Sequence, residues 1–331
     1  MKILVTGGAG FIGSHITESL VALGHDVTVF DNFFTGRREN LSNVINDIKI
    51  IEGDICDAET IGSACRGMDL VSHQAAQLEI FRSTDDPLWD LQVNTIGTLN
   101  VLSAAKAAGV KKVVNASSAC IYGQVEGLTS EAHYPRPNWA YGVSKLAAEK
   151  YCDIYSDYHG LPVVNLRYGI TYGEREWYRR VLTIMCKRAI QGQAPVIFGD
   201  GSQIRDFIYV KDLVAFHNMT LFSEKGDGMS FNVGTGIGTS IVQLAQGVIE
   251  AANLQADPIF EPTAEGQFST LVPDKKRNTA ELKVMLLDVA LAHKVFGWTP
   301  KTNLVDGLRN EITWARSNLD RWEKVFYSAQ V

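Results

Sequence analysis

Short apolar runs rich in β-branched residues alternate with longer segments of helical periodicity through the first half of the chain. The apolar runs predict strands at residues 3–5, 27–30, 48–51, 69–72, 112–115 and 162–166. Helical periodicity is clearest at residues 12–23, 88–108 and 140–158. Because consecutive parallel strands need a crossover connection, this alternation predicts an α/β fold with a Rossmann-like, doubly wound parallel sheet.

The alternation becomes irregular after Gly169, where glycine and proline separate shorter elements. Residues 207–210 and 230–233 still predict strands. We therefore expect a Rossmann-like domain over residues 1–168, to which later segments near 205–234 return. Residues 169–331 are expected to form, for the most part, a smaller and discontinuous C-terminal lobe.

Charge and cysteine content narrow the partners and the compartment. Lys and Arg total 31 against 37 Asp and Glu, and this net charge of −6 argues against a nucleic-acid partner. The five cysteines form no C-x-x-C pair, so we expect neither a disulfide framework nor a zinc site, and no other metal. The N-terminal apolar run is too short for a signal peptide, and no stretch reaches the ~20 apolar residues of a membrane span. These features predict a cytoplasmic protein without a membrane partner.

A glycine-rich loop follows the first predicted strand and opens the first helix. Gly7, Gly10 and Gly13 have the spacing G-x-x-G-x-x-G. Glycine permits the tight turn and lets backbone N–H groups approach a pyrophosphate at the helix N-terminus. The position of this loop predicts a dinucleotide site, and the lack of a following Gly-Lys-Ser/Thr excludes a Walker P-loop.

An acidic residue ends the second predicted strand. Asp31 lies 18 residues after Gly13, where a carboxylate can accept hydrogen bonds from the adenosine ribose and repel a 2′-phosphate. This favours NAD over NADP, although the nearby Arg37 and Arg38 leave NADP open.

A tyrosine and a lysine share one face of the helix after the fifth strand. Tyr141 and Lys145 stand at i and i+4. Free tyrosine has a pKa of ~10, and a neighbouring ammonium favours the phenolate, so we expect Lys145 to lower the pKa of Tyr141. Ser117 and Ser118 end the fifth strand, at the sheet edge where doubly wound folds bind ligands. The three groups predict acid–base chemistry at a hydroxyl.

Together these motifs resemble the NAD-dependent nucleotide-sugar epimerase/dehydratase family of extended short-chain dehydrogenases/reductases. The resemblance runs nearly end to end and rests on the segments TGGAGFIG (6–13), HQAAQ (73–77), SSACIYG (117–123), YGVSK (141–145), LRY (166–168), GDGSQ (199–203), RDF (205–207) and GWTP (297–300).

The resemblance implies roles for residues at matching positions. The implied cofactor-binding residues are Gly7, Gly10, Phe11, Ile12, Gly13, Asp31, Asn32, Gly36, Asp54, Ile55, Gln74, Ala75, Ala76, Asn94, Ser117, Tyr141, Lys145 and Tyr168. The implied catalytic residues are Ser118, Tyr141, Lys145 and Cys120. The implied substrate-binding residues are Gln77, Glu79, Ser118, Ile170 and Arg205. Arg205 would pair with the nucleotide diphosphate, unless it bridges to Asp200 or Asp206.

The resemblance also implies an activity and an assembly. The expected reaction is epimerisation of a UDP-hexose at C4 by an NAD-dependent enzyme, through a transient 4-keto intermediate. The expected assembly is a homodimer formed by the helices at residues 88–108 and 140–158.

Alternatives remain open on the same residues. Family dehydratases carry Asp-Glu where this chain has Ala119 and Cys120, and decarboxylases carry Glu at position 120. Cys120 resembles the proton-transferring cysteine of a 3,5-epimerase, but Arg180 stands where the lysine of that enzyme is expected, and a space-filling Cys120 is the competing interpretation. Dehydration, decarboxylation, 3,5-epimerisation and ketoreduction therefore stay as alternatives. A non-catalytic NAD-binding sensor is disfavoured by the intact Ser118, Tyr141 and Lys145.

Two departures from the family pattern leave the sugar open. Ile170 replaces an asparagine that normally touches the substrate. The segment after Ala76 reads Gln-Leu-Glu-Ile and places Glu79 near the expected sugar pocket.

Overall fold

The computed structural model of the protein describes residues 1–273, 275–277 and 281–323. Its strands are β1 (Lys2–Thr6), β2 (Asp26–Asp31), β3 (Ile48–Glu52), β4 (Leu70–His73), β5 (Lys112–Ser118), β6 (Leu128–Thr129), β7 (Val163–Tyr168), β8 (Ile170–Tyr172), β9 (Val196–Phe198), β10 (Ile204–Arg205), β11 (Phe207–Tyr209), β12 (Ser230–Val233), β13 (Thr239–Ser240), β14 (Ile259–Glu261) and β15 (Val284–Leu287). Its α-helices are α1 (Phe11–Ala22), α2 (Ala58–Cys65), α3 (Ile80–Asp85), α4 (Pro87–Leu91), α5 (Gly97–Ala107), α6 (Ala140–His159), α7 (Val181–Ile190), α8 (Val210–Leu221), α9 (Ile241–Ala252), α10 (Ala290–Phe296), α11 (Leu304–Arg316) and α12 (Leu319–Glu323).

Seven parallel strands form the main sheet, in the order β12-β7-β5-β4-β1-β2-β3. Every residue of β4, β5 and β7 is buried, as expected for parallel strands covered on both faces. This sheet confirms the predicted doubly wound α/β fold. The strand order reverses between β1 and β4, and ligands of such folds bind in the crevice at the carboxyl ends of the strands there.

Alternate residues of the strands supply the two cores that flank the sheet. On one side Ile3 and Val5 pack with Ile16 of α1 and Phe216 of α8. On the other side Leu4 packs with residues of α2 and α5. Because successive strand side chains point to opposite faces, a continuous apolar run such as β1 serves both cores.

The helix predicted at residues 88–108 is interrupted. A π-helical turn at Gln92–Ile96 separates α4 from α5. Inside this turn, Asn94 Nδ2 donates to Ser144 Oγ (3.2 Å) and Thr95 Oγ1 donates to Ser144 O (3.0 Å). These side-chain bonds fasten the turn to α6, an arrangement typical of π-bulges near functional sites.

Later segments either join the main sheet or form smaller sheets of their own. β12 extends the main sheet beside β7, whereas β11 pairs with β8 in a separate two-stranded sheet. A further sheet has the order β13-β10-β15-β6, and β14 pairs with β9. In the described ranges, no helix is long and apolar enough to cross a membrane.

Candidate active site

A cavity of about 590 Å³ lies at the carboxyl edge of the main sheet. Its walls contain the glycine loop, the ends of β2, β5 and β7, the start of α6, and residues of the C-terminal lobe. Every site residue predicted from the sequence lines this cavity, with Asn94 as the exception. Asn94 is buried behind the wall, where its side chain bonds both the backbone N–H and the backbone carbonyl of Gln77 (2.9 and 3.0 Å).

The glycine loop packs too closely for side chains. Gly7 has a φ of +66°, and a Cβ there would lie 2.6 Å from Ala75 N. A Cβ at Gly13 would lie 2.1 Å from Gly7 O. Gly10 caps α1 without a side-chain hydrogen bond, so the first N–H groups of the helix face the cavity without a capping side chain. The loop thus fits a pyrophosphate group.

Next to the glycine loop, the cavity has polar groups suited to adenosine. Asp31 is buried, and its carboxylate accepts hydrogen bonds from Ala9 N (2.9 Å) and Phe33 N (2.8 Å). Burial raises the pKa of Asp31 above its usual value. Asn32 Nδ2 donates to Asp54 Oδ2 (2.9 Å) beside Ile55. The fixed carboxylate of Asp31 fits a ribose diol.

Ser118, Tyr141, Lys145 and Cys120 all line the cavity. Ser118 Oγ accepts from Cys120 N (3.1 Å) and interacts with the Tyr141 phenol. Burial lowers the pKa of Lys145 to about 8. The four groups therefore share one water-poor site, although no three of them are neighbours in sequence.

The pKa of Tyr141 differs from the sequence-based expectation. Burial, reinforced by Cys120, raises this pKa well above its usual value. The Ser118 hydroxyl and the charge of Arg180 act in the opposite direction and are weaker. The expected lowering by Lys145 is therefore wrong for the protein alone, because desolvation of the phenolate outweighs the nearby positive charges. The phenol is consequently protonated at neutral pH.

A buried carboxylate that the sequence analysis missed holds this centre together. Glu149 of α6 accepts from Ser117 Oγ (2.6 Å) and from Arg167 Nη2 (2.5 Å), and the side chains of Glu149 and Arg167 are 0% and 6% exposed. These bonds tie α6, which carries Tyr141 and Lys145, to the ends of β5 and β7. Its signal was an acidic residue four positions after Lys145, on the same helix face.

One part of the cavity, which we call its far half, is rich in arginine and lysine. It is lined by Glu79, Glu176, Arg179, Arg180, Arg205, Lys275, Lys276, Arg277 and Glu281. Arg205 and Arg277 both approach Glu281, with N–O distances of 3.9 and 3.4 Å. Asp206 accepts instead from Thr235 N (2.7 Å), and Asp200 accepts from Ser202 N (3.0 Å). Neither aspartate is therefore an ion-pair partner of Arg205. Sequence reasoning did not select Arg277, which stands 72 positions after Arg205 in a segment without a recognised motif.

Two of the predicted substrate residues behave differently from each other. The Gln77 amide donates to Asp90 Oδ1 and to Glu79 O, both at 3.0 Å. The Gln77 amide N–H groups are therefore used within the protein and not directed to a ligand. Ile170 lines the cavity from β8 and presents an apolar surface.

Comparison with known proteins agrees with this geometry. The sequence model of the NAD dependent epimerase/dehydratase family matches residues 3–234. The chain belongs to this family. Membership confirms the resemblance identified from the motifs, and it makes NAD the cofactor.

Relatives within the family carry several activities. The chain is 34% identical to the UDP-glucose 4-epimerase of Mycolicibacterium smegmatis, over 96% of this chain and 99% of that protein. It is 31% identical to the UDP-N-acetyl-alpha-D-glucosaminuronate decarboxylase of Bacillus cytotoxicus, over 95% and 98%. The crystal structure of the Thermotoga maritima UDP-glucose 4-epimerase with UDP-glucose superposes with a TM-score of 0.87 at 34% identity, covering 96% and 100%.

Proposed function

We propose that this family member is an NAD-dependent epimerase that inverts C4 of a UDP-linked sugar of the hexose series. One observation carries the proposal: the Ser118, Tyr141 and Lys145 groups line the same cavity as the glycine loop and the paired Arg205 and Arg277. The similarity to UDP-glucose 4-epimerases over the whole chain supports it.

In this proposal each residue has a task at a stated atom. Tyr141 Oη exchanges a proton with the C4 hydroxyl, and Ser118 Oγ bonds the same hydroxyl and orients it. The Lys145 ammonium lies in the same buried centre and favours the phenolate when Tyr141 has lost its proton. NAD supplies, when bound, a reversible acceptor for the hydride of C4. The low polarity of the buried site strengthens each of these interactions.

The two parts of the chain would divide the ligands. Residues 1–168 hold NAD through the glycine loop, Asp31 and the Gln74–Ala76 segment. Residues 169–331 supply most of the substrate contacts, Arg205 among them; within this range, 274, 278–280 and 324–331 lie outside the described residues. A thiol at Cys120, whose pKa burial raises, cannot replace the carboxylate of a dehydratase or decarboxylase.

A panel of sugar nucleotides tests the proposal. The purified enzyme is incubated with UDP-, GDP-, CDP- and dTDP-sugars, and the products are identified by NMR. Equilibration of a UDP-sugar with its C4 epimer, without net consumption of NAD, supports the proposal. Loss of CO₂, loss of water, or net reduction as the main reaction would overturn it.

Replacing Asp31 by Asn is expected to erase discrimination against NADP. In the parent, the buried carboxylate repels a 2′-phosphate, so NAD should bind at least about 10-fold more tightly than NADP, a difference of about 1.4 kcal/mol. The Kd values of both nucleotides are measured by calorimetry. Glu52→Gln is the control. Glu52 is the neighbour of Asp31 on the adjacent strand, but its carboxylate is exposed and forms an ion pair with Arg38. Equal binding of NAD and NADP by the parent would contradict the assignment.

Replacing Arg205 by Ala is expected to raise KM about 30-fold or more for every sugar on the accepted nucleotide. A guanidinium suits a diphosphate by paired hydrogen bonds, and removing one partner of a buried charge pair costs about 2–5 kcal/mol. KM is compared for two sugars on one nucleotide. Arg309→Ala, at an exposed site on α11, is the control. An unchanged KM with a lowered Tm would make Arg205 structural.

We also propose a homodimer built by the helices within residues 88–108 and 140–158. Leu88 and Tyr158 are 77% and 81% exposed, and Ile154 is 41% exposed. Large apolar side chains on neighbouring helices are typical of an interface. Sedimentation velocity should give a dimer that Tyr158→Asp weakens, whereas a monomer at micromolar concentration would contradict this proposal.

A further inference from the structure

Three cations act electrostatically on the carboxylate of Glu79 in the cavity, each from beyond 4.0 Å. They are Arg179, Arg180 and Lys275, and all four residues line its far half. We call these four residues the sugar-end cluster. The cluster borders the reaction centre, because the charge of Arg180 acts on both Cys120 and Tyr141.

The cations are held in place by the protein backbone. Arg180 Nη1 donates to Thr171 O (3.2 Å) and lies 3.1 Å from Glu176 Oε1, and the Glu176 side chain is 1% exposed. Lys275 Nζ donates to Arg179 O (2.8 Å). Arg179 itself has a φ of +93°, a conformation that non-glycine residues rarely adopt. Such strained residues gather at ligand sites.

The direct pairs leave the cluster short of negative charge. Among the described residues, Glu79 forms no ion pair within 4.0 Å, and the buried Nε atom of Arg179 has no hydrogen-bond partner. Burial raises the pKa of Glu79 despite the opposing effect of Lys275, Arg180 and Arg179. Burial also lowers the pKa of Lys275. Arg180, whose side chain is 31% exposed, pairs with Glu176. Among the described residues, Arg179 and Lys275 have no carboxylate within 4.0 Å.

The far half of the cavity carries more cations than carboxylates. The cations that line it are Arg179, Arg180, Arg205, Lys275, Lys276 and Arg277. The carboxylates that line it, among the described residues, are Glu79, Glu176 and Glu281. In the proposed function Arg205 and Arg277, which both approach Glu281, serve the diphosphate. Arg179, Arg180 and Lys275 are the cations that this function leaves without a ligand group.

A neutral hexose has no charge that could balance these additional cations. Hydroxyl groups are usually recognised by polar groups of either kind, whereas clustered guanidinium and ammonium groups match a carboxylate in charge and, for arginine, in geometry. The apolar Ile170 takes away one hydroxyl-binding side chain from the same wall. Both features favour a sugar that carries an acid group.

We propose that Arg179, Arg180 and Lys275 form a carboxylate subsite, and that the physiological substrate is a UDP-linked uronic acid. This inference rests on the proposed epimerase function and narrows its substrate class. The subsite binds the C6 carboxylate while Ser118 and Tyr141 act at C4 of the same ring.

Binding and turnover are measured with UDP-glucuronate and UDP-glucose. These two compounds differ only at C6, which is a carboxylate in the first and a CH2OH group in the second. The NAD-loaded enzyme should bind UDP-glucuronate at least about 10-fold more tightly by calorimetry. The kcat/KM for its conversion to UDP-galacturonate, followed by NMR, should exceed that for UDP-glucose by a similar factor.

Lys275→Met and Arg180→Gln should each lower kcat/KM for UDP-glucuronate about 30-fold or more, because each removes a charged partner of the carboxylate. Lys275→Met should change kcat/KM for UDP-glucose less than threefold. For Arg180→Gln the readout is the ratio of kcat/KM for UDP-glucuronate to kcat/KM for UDP-glucose, which should fall, because the charge of Arg180 also acts on Tyr141 in the reaction of both sugars. Lys283→Met is the matched control, since Lys283 is exposed and does not line the cavity. Tm is measured for all variants to detect a folding defect.

Each outcome decides between the two proposals. Preference for UDP-glucuronate that Lys275→Met abolishes supports the subsite. Equal affinities for both sugar nucleotides, or turnover of UDP-glucose alone, overturns the subsite and leaves the epimerase standing. Tighter binding of UDP-glucuronate without C4 inversion of any sugar keeps the subsite and overturns the epimerase. If Lys275→Met does not fold, the same comparison of the two sugar nucleotides is made with Arg180→Gln.

Discussion

Tyr141→Phe is expected to lower kcat by about 10²–10⁴-fold, the usual range for loss of a general acid–base group. The substitution removes a single oxygen from a ring that lines the cavity and interacts with Ser118 and Cys120. Because the ring stays, packing and the glycine loop should be preserved, so Tm and NAD content should remain close to the parent values. Turnover, Tm and bound NAD are measured on the same preparation.

The control for this substitution is Tyr134→Phe, which removes the same oxygen from a residue that is 76% exposed. Its kcat should equal that of the parent. Near-native turnover by Tyr141→Phe on the identified substrate would refute the acid–base assignment. A parallel loss of NAD and thermal stability would show instead that the hydroxyl has a structural task.

The kcat of the parent should also depend on pH in a defined direction. Burial places the pKa of Tyr141 above its usual value, so the phenolate fraction is small at neutral pH and grows as pH rises. The kcat for oxidation of the C4 hydroxyl should therefore rise with pH. This dependence on the phenolate should vanish in Tyr141→Phe, where no phenol can ionise.

Gly13→Ala is expected to reduce NAD affinity by about 10- to 100-fold. The added methyl carbon would lie 2.1 Å from Gly7 O and 2.8 Å from Gly7 C. Neither atom can rotate away, since both belong to the backbone of the loop, so the turn itself must open. Forcing an extra carbon into a packed site costs about 1–3 kcal/mol, and here the displaced atoms are those that shape the pyrophosphate site.

Gly62→Ala provides the matched control. Gly62 lies in α2, and a Cβ there meets nothing within 4 Å. Alanine favours helix by about 1 kcal/mol over glycine, so this variant should bind NAD normally with an equal or higher Tm. Calorimetric NAD binding by Gly13→Ala at parent affinity would show that the loop can relax without loss of its shape.

The sequence was sufficient where the signal is local. Strands β1 to β5 and β7 are apolar runs that a parallel, two-sided sheet requires, and the observed bounds differ from the predicted ones by three residues at most. The G-x-x-G-x-x-G loop is in part determined by its own residues, because Gly7 O excludes a Cβ at Gly13. The pattern of hydrophobicity and the glycine spacing therefore fixed the sheet and the loop before any contact was known.

Tertiary structure decided the features that depend on residues far apart in the chain. The π-helical turn exists because Asn94 and Thr95 bond to Ser144, which no helical periodicity reveals. The raised pKa of Tyr141 depends on burial rather than on the spacing to Lys145.

The same holds for the charged residues of the site. Glu149 gains its role from Ser117 and Arg167, 32 and 18 positions away. Lys275 reaches Arg179, 96 positions earlier, through a single backbone carbonyl. Sequence patterns report which side chains can serve a given chemistry, whereas desolvation and charge balance depend on every group that packs around them, and only the folded chain brings those groups together.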